Sequence, residues 1–189
     1  VRHVLPRRLL LRARTATEAG RCARRREQLC LALSRLSRPG QGNWEVLLEE
    51  AYIEQAIQSG PLGIDLVPSR PRLVEFEEAA ERLLHPEQRL KVSLDAVRDR
   101  YDWVVVDCPP RAEGVLCANA LFACTAAFLI VETGAFSLQG ALQAMRVLNE
   151  VGENQGRTYE VRVVGTLFDR RMRLARELLV ALHARFGPA

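Results

Sequence analysis

From Asn43 onward, apolar and polar residues follow two alternating periods. Residues 44–58 (WEVLLEEAYIEQAIQ) place Val46, Leu47, Ala51 and Ile57 at helical spacing, and Ser59-Gly60-Pro61 ends the run. Gly63 to Pro68 predicts a short strand closed by proline. Arg72 to Leu84 predicts a helix with Leu73, Phe76, Ala80 and Leu83 on one face. His85-Pro86 breaks it, and Pro86 opens a further helix whose Leu90, Leu94 and Val97 face inward. Tyr101 to Asp107 (YDWVVVD) is an unbroken β-branched run, the pattern of a parallel strand covered on both faces, so a central and buried strand is predicted. An apolar helix over Val115 to Ala123 precedes a second buried strand, Ala126 to Val131. Leu138 to Val151 predicts a helix, Tyr159 to Phe168 a strand, and Arg171 to Phe186 a helix with Leu174, Leu178 and Leu182 at i, i+4, i+8. Strands alternating with helices imply an α/β fold with parallel strands and right-handed crossovers.

Residues 1–42 break this regularity. Arginine is scattered there through leucine and alanine, so the segment is expected to be disordered or an irregular helix, with residues 24–37 helical at most and no convincing strand. Charge divides the chain at the same place. Residues 1–43 hold eleven arginines against Glu18 and Glu27, whereas the remainder is net acidic, so the overall charge of +4 belongs to the amino-terminal quarter. Five cysteines without a C-x-x-C pair suggest reduced thiols, with neither a disulfide framework nor a zinc ribbon. The apolar runs are too short to cross a bilayer and no leader opens the chain, so a cytoplasmic protein is expected.

Asp107-Cys108-Pro109-Pro110 ends the strongest strand, where open α/β sheets place ligands, and a carboxylate there suits Mg²⁺ or a simple loop cap. Around it, YDWVVVDCPPRAEGVLCANALFACTAAFLIVETGAFSLQGA resembles the ParA/MinD family of deviant P-loop ATPases in its hydrophobic strand, D-C-P-P turn, Asn-Ala helix and F-S-L-x-G helix start. GIDLVPSRPRLVEFE upstream and VVGTLFDRRMRLARELLVALHARFG downstream are similar to two further blocks of that family, nearest its chromosome and plasmid partition branch. The resemblance covers about Trp44 to Gly187. It implies a partial, P-loop-NTPase-like three-layer α/β/α domain over residues 43–189, with a mostly parallel sheet, cut at both ends.

By the same resemblance Asp107 is the Mg²⁺-linked aspartate, and Cys108, Pro109, Pro110, Asn119, Thr166, Phe168 and Asp169 lie toward the nucleotide or dimer face. Cys108 reads more simply as a small apolar residue beside a tight turn with no reactive role, and Asn119 equally as a helix-packing amide. The family's cofactors are ATP and Mg²⁺; its partners are non-specific DNA, a ParB-like protein and a second copy, with no membrane. Nucleoid association follows if DNA is bound.

One departure outweighs these matches: the 189 residues contain no G-x-x-x-x-G-K-[ST] run, and the only lysine, Lys91, stands in EQRLKVS. A partition-type ATPase fold that does not bind or hydrolyse ATP is therefore expected. An alternative is a basic, non-catalytic DNA-binding accessory protein acting through Arg170, Arg171, Arg173 and Arg176 or through the amino-terminal arginines, though the same cluster also reads as a solvated helix face. The composition of residues 1–42 also fits out-of-frame reading of a GC-rich gene, which leaves a non-functional product as a third reading.

Overall fold

The computed structural model describes residues 8–12, 42–60, 64–69, 72–108, 113–132, 137–166, 169 and 171–187. They belong to two compact α/β units that divide after Ala123. The first contains β1 (Arg8–Arg12), α1 (Asn43–Leu47), α2 (Ile53–Ala56), β2 (Gln58–Ser59), β3 (Ile64–Val67), α3 (Leu73–Ala79), α4 (Arg89–Asp95), β4 (Trp103–Asp107) and α5 (Val115–Ala123). Its sheet runs β2-β3-β1-β4, with β1 parallel to both neighbours and β2 antiparallel to β3.

Residues 8–12 correct the expectation for the Arg-rich segment. Where the pattern offered only disorder or an irregular helix, five residues form a strand paired on both sides. Leu9-Leu10-Leu11 is a short apolar run flanked closely by arginine, and its hydrogen-bonding partners are distant in sequence, so no local signal marks it. The helix expected at residues 24–37 lies outside the described residues.

The central, buried position predicted for residues 103–107 is also overturned. β4 pairs with β1 and is the end strand of this four-stranded sheet. Trp103 is 66% and Val105 52% exposed, and Val104 is exposed as well. Only Val106 packs against the core. A β-branched run states what a strand prefers to have on both faces; helices supply that cover, and here they reach one face.

That core joins Trp44, Ile53, Phe76, Leu90, Leu94 and Val97 to Val67 of β3. The single helix predicted over residues 44–58 is divided into α1 and α2. The Glu45 carboxylate caps α1 by accepting the Gly42 N–H at 2.8 Å, and Glu49 then turns left-handed (φ 61°). Gln55 starts α2 afresh, its side-chain oxygen accepting the Tyr52 N–H at 3.0 Å.

The second unit contains β5 (Ala126–Glu132), α6 (Ser137–Asn154), β6 (Glu160–Thr166) and α7 (Arg173–Phe186). β5 and β6 are parallel, in register from Ala126 opposite Glu160 to Glu132 opposite Thr166. Leu129, Val131 and Val163 pack with Ala141, Leu178 and Leu182 of the helices. Phe128, Ile130 and Val164 face outward and are exposed, so β5, predicted buried, is buried on one face only. A Cβ on Gly152 would meet the Arg157 carbonyl at 2.7 Å, and Gly156 takes φ 63°; together they let α6 stop and the chain turn into β6. No helix among the described residues is long and apolar enough to cross a membrane.

Candidate functional site

The carboxyl edge of the first sheet gathers the end of β3 at Val67-Pro68-Ser69, the end of β1 at Arg12 and the end of β4 at Asp107. Arg12 and Asp107 are directly in register. Asp107 and Cys108 are half-buried, and the Cys108 thiol lies 3.9 Å from the Val106 carbonyl. Pro109 and Pro110 lie outside the described residues.

Asn119 turns inward instead. It is 1% exposed; its Oδ1 accepts the Leu90 N–H at 2.9 Å, and its Nδ2 donates to the Pro86 carbonyl at 2.6 Å and the Val115 carbonyl at 2.9 Å. Both sides of the amide are used in tying α5 to the start of α4. Of the two readings open for Asn119, the geometry supports the packing amide.

A magnesium nucleotide needs a carboxylate together with a cradle of backbone amides, a lysine and a hydroxyl around its phosphates. Lys91 lies on the exposed side of α4 and donates to Asp95 at 2.7 Å, one helical turn away. Among the described residues no three His, Cys, Asp or Glu side chains converge to hold a metal ion. The described part of this edge offers one carboxylate without a lysine, and it does not fit a complete Mg-nucleotide site.

In the second unit Thr166 ends β6, and its buried hydroxyl has no hydrogen-bond partner among the described residues. Phe168 and Arg170 lie outside the described residues. Asp169 accepts the Arg171 backbone N–H at 2.9 Å and also holds the Arg171 guanidinium, with Nε at 3.1 Å and Nη2 at 3.0 Å. Those side-chain bonds, reinforced by the backbone one, pull the Asp169 carboxyl below its ordinary range and raise Arg171. Arg173, the first residue of α7, reaches Glu177 one turn on at 2.6 Å. Arg176 is exposed and makes no ion pair among the described residues. The i, i+4 spacing of Arg173 and Glu177 was the available sequence signal for that pair. A cluster the sequence did not announce sits at the start of β6, where Gln155 and Arg157 both donate to the Tyr159 hydroxyl, at 2.9 and 3.0 Å.

The family model described as an AAA domain matches residues 28–161, and the chromosome partitioning protein ParA of Caulobacter vibrioides is 31% identical over 148 residues. This chain belongs to the ParA/MinD family. The ParA alignment covers 76% of this chain and 55% of that protein. The sporulation initiation inhibitor Soj of Bacillus subtilis is 26% identical over 138 residues, covering 72% of this chain and 54% of Soj. The chain thus spans about half the length of these relatives. In structure it is similar to a putative plasmid partition protein of Borrelia burgdorferi bound to AMPPNP (TM-score 0.74, 20% identity, 95% of this chain and 70% of that one). It is also similar to cobyrinic acid a,c-diamide synthase of Mycobacterium smegmatis (TM-score 0.76, 24% identity, with the same coverage). At those identities the likeness shows a shared α/β fold.

Proposed function

We propose that residues 1–189 are the aspartate-bearing, DNA-associating part of a ParA-like partition protein and neither bind nor hydrolyse ATP by themselves. The observation that carries this reading is the commitment of the only lysine, Lys91, to Asp95 on an exposed helix while Asp107 stands at a strand end without a lysine. Phosphoryl transfer is mostly positioning and charge neutralisation, so a site without a phosphate cradle loses affinity and rate together. A carboxylate such as Asp107 would hold Mg²⁺ in a complete site, usually through water. Duplex DNA is the partner that the arginines at positions 170, 171, 173 and 176 would meet. A second copy and a ParB-like protein are the partners that family membership adds. Exposed Arg171, Arg173 and Arg176 equally favour a second reading, an accessory protein that binds DNA and uses no nucleotide at all.

Calorimetric titration with Mg-ATP and a phosphate-release assay test the nucleotide half. The expected result is no turnover and no tight binding, unchanged in Asp107→Ala. A low-micromolar dissociation constant that disappears in Asp107→Ala would overturn it, because it would mean that other residues cradle the phosphates.

A further inference from the structure

Resting on the reading that the basic start of α7 meets duplex DNA, we propose that this surface is latched. Asp169 and Glu177 hold Arg171 and Arg173 in intramolecular ion pairs, Arg176 is the standing phosphate ligand, and DNA recruits the other two arginines only by displacing those carboxylates.

Three observations carry this. The guanidinium of Arg171 is bidentate to Asp169, and that of Arg173 lies 2.6 Å from Glu177, whereas Arg176 has no ion pair among the described residues. The latched side chains are 90% and 88% exposed, so both are within reach of a polyanion. Arg173 and Arg176 lie three residues apart on a helix and are therefore surface neighbours, so one stretch of phosphates can address both. Exposed ion pairs are weak in water, and a phosphate backbone with its condensed counterions competes with a single carboxylate. The latch is also asymmetric. Asp169 accepts the Arg171 backbone N–H as well, so its carboxylate stays in place when the guanidinium leaves and its charge then opposes the incoming phosphate. Both acids thereby set a threshold that lowers affinity without adding any sequence preference.

The test is binding of residues 1–189 to a fluorescent duplex of arbitrary sequence at fixed low salt. Glu177→Gln and Asp169→Asn are each expected to tighten binding by about 2- to 5-fold, the range of an exposed ion pair. Asparagine at position 169 keeps an oxygen for the Arg171 N–H, so the turn is preserved. Two double-mutant cycles separate a latch from simple removal of negative charge: the gain of Glu177→Gln is expected to shrink clearly on an Arg173→Ala background, and that of Asp169→Asn on Arg171→Ala, to the part that direct repulsion of phosphate accounts for. Gains that persist at full size on those backgrounds, or no gain in either acid variant, would overturn the latch while leaving DNA binding standing. Binding unchanged in the combined Arg171, Arg173 and Arg176→Ala variant would overturn the reading that the start of α7 meets DNA, and the latch with it.

Discussion

Asn119 makes the sharpest single-residue case. Asn119→Ala removes the partners of the Leu90 N–H and the Pro86 carbonyl inside a packed layer, and two buried polar groups left unmatched cost about 2–4 kcal/mol. The urea midpoint is expected to fall accordingly; an unchanged midpoint would remove the packing role. Asp169 is a milder case with a defined sign. Its carboxyl is held below the ordinary value by Arg171, so its contribution is present above the unfolded carboxyl pKa and is lost as pH falls through the depressed folded value. A carbon-detected NMR titration should therefore find Asp169 titrating low and returning to the ordinary range in Arg171→Ala. Because the pair is exposed, added salt should shrink the shift. Cys124 moves the other way. Burial raises its thiol, with the Arg157 charge opposing, so it stays protonated and alkylates slowly at neutral pH.

Among the elements, the strands separate pattern from position. Val67 of β3 is fully buried against the helical core, and Val105 of β4 is 52% exposed. Val67→Asp is expected to unfold the first unit, since an unpaired buried carboxylate costs several kcal/mol, whereas Val105→Asp should cost about 1 kcal/mol or less. Circular dichroism melts of the two variants check this, and equal losses of stability would mean that β4 is covered after all. Both residues sit in apolar strand-forming runs and look alike in sequence. The helices were easier to place, because a stripe such as Leu178 and Leu182 already names the face that packs, and those two residues do meet Val131 and Ala141. Their ends were not legible: Glu49 in a left-handed conformation splits a helix whose apolar spacing continues without interruption.

For the chain as a whole, the proposed contact with DNA is a matter of charge. The positive excess lies in residues 1–43, and the remainder is net acidic, so arginines on α7 are local exceptions on an acidic background. DNA binding is expected to be sequence-blind and to weaken linearly on a log–log salt plot. The combined Arg171, Arg173 and Arg176→Ala variant should reduce the slope by about one for each phosphate that an arginine no longer neutralises. An unchanged slope would assign DNA binding to the amino-terminal arginines instead.

The division of labour between local and long-range information follows from what each reads. Periodicity records which face of a segment is apolar, so the α/β class and most element types were legible from residues 44–187 alone, and the resemblance of the block around Asp107-Cys108-Pro109-Pro110 pointed to the family. Asp107 was legible as the end of a strand for the same reason. Strand pairing depends on backbone partners far away in the chain, so β1 at Arg8–Arg12 and the edge position of β4 emerged only when the sheet was assembled. The role of Asn119 was likewise decided by Pro86 and Leu90, which lie about thirty residues earlier and which no spacing rule links to it. Hydrogen bonds that close long loops leave no periodic trace in sequence, and only packing tells an amide that faces a ligand from one that holds two helices together.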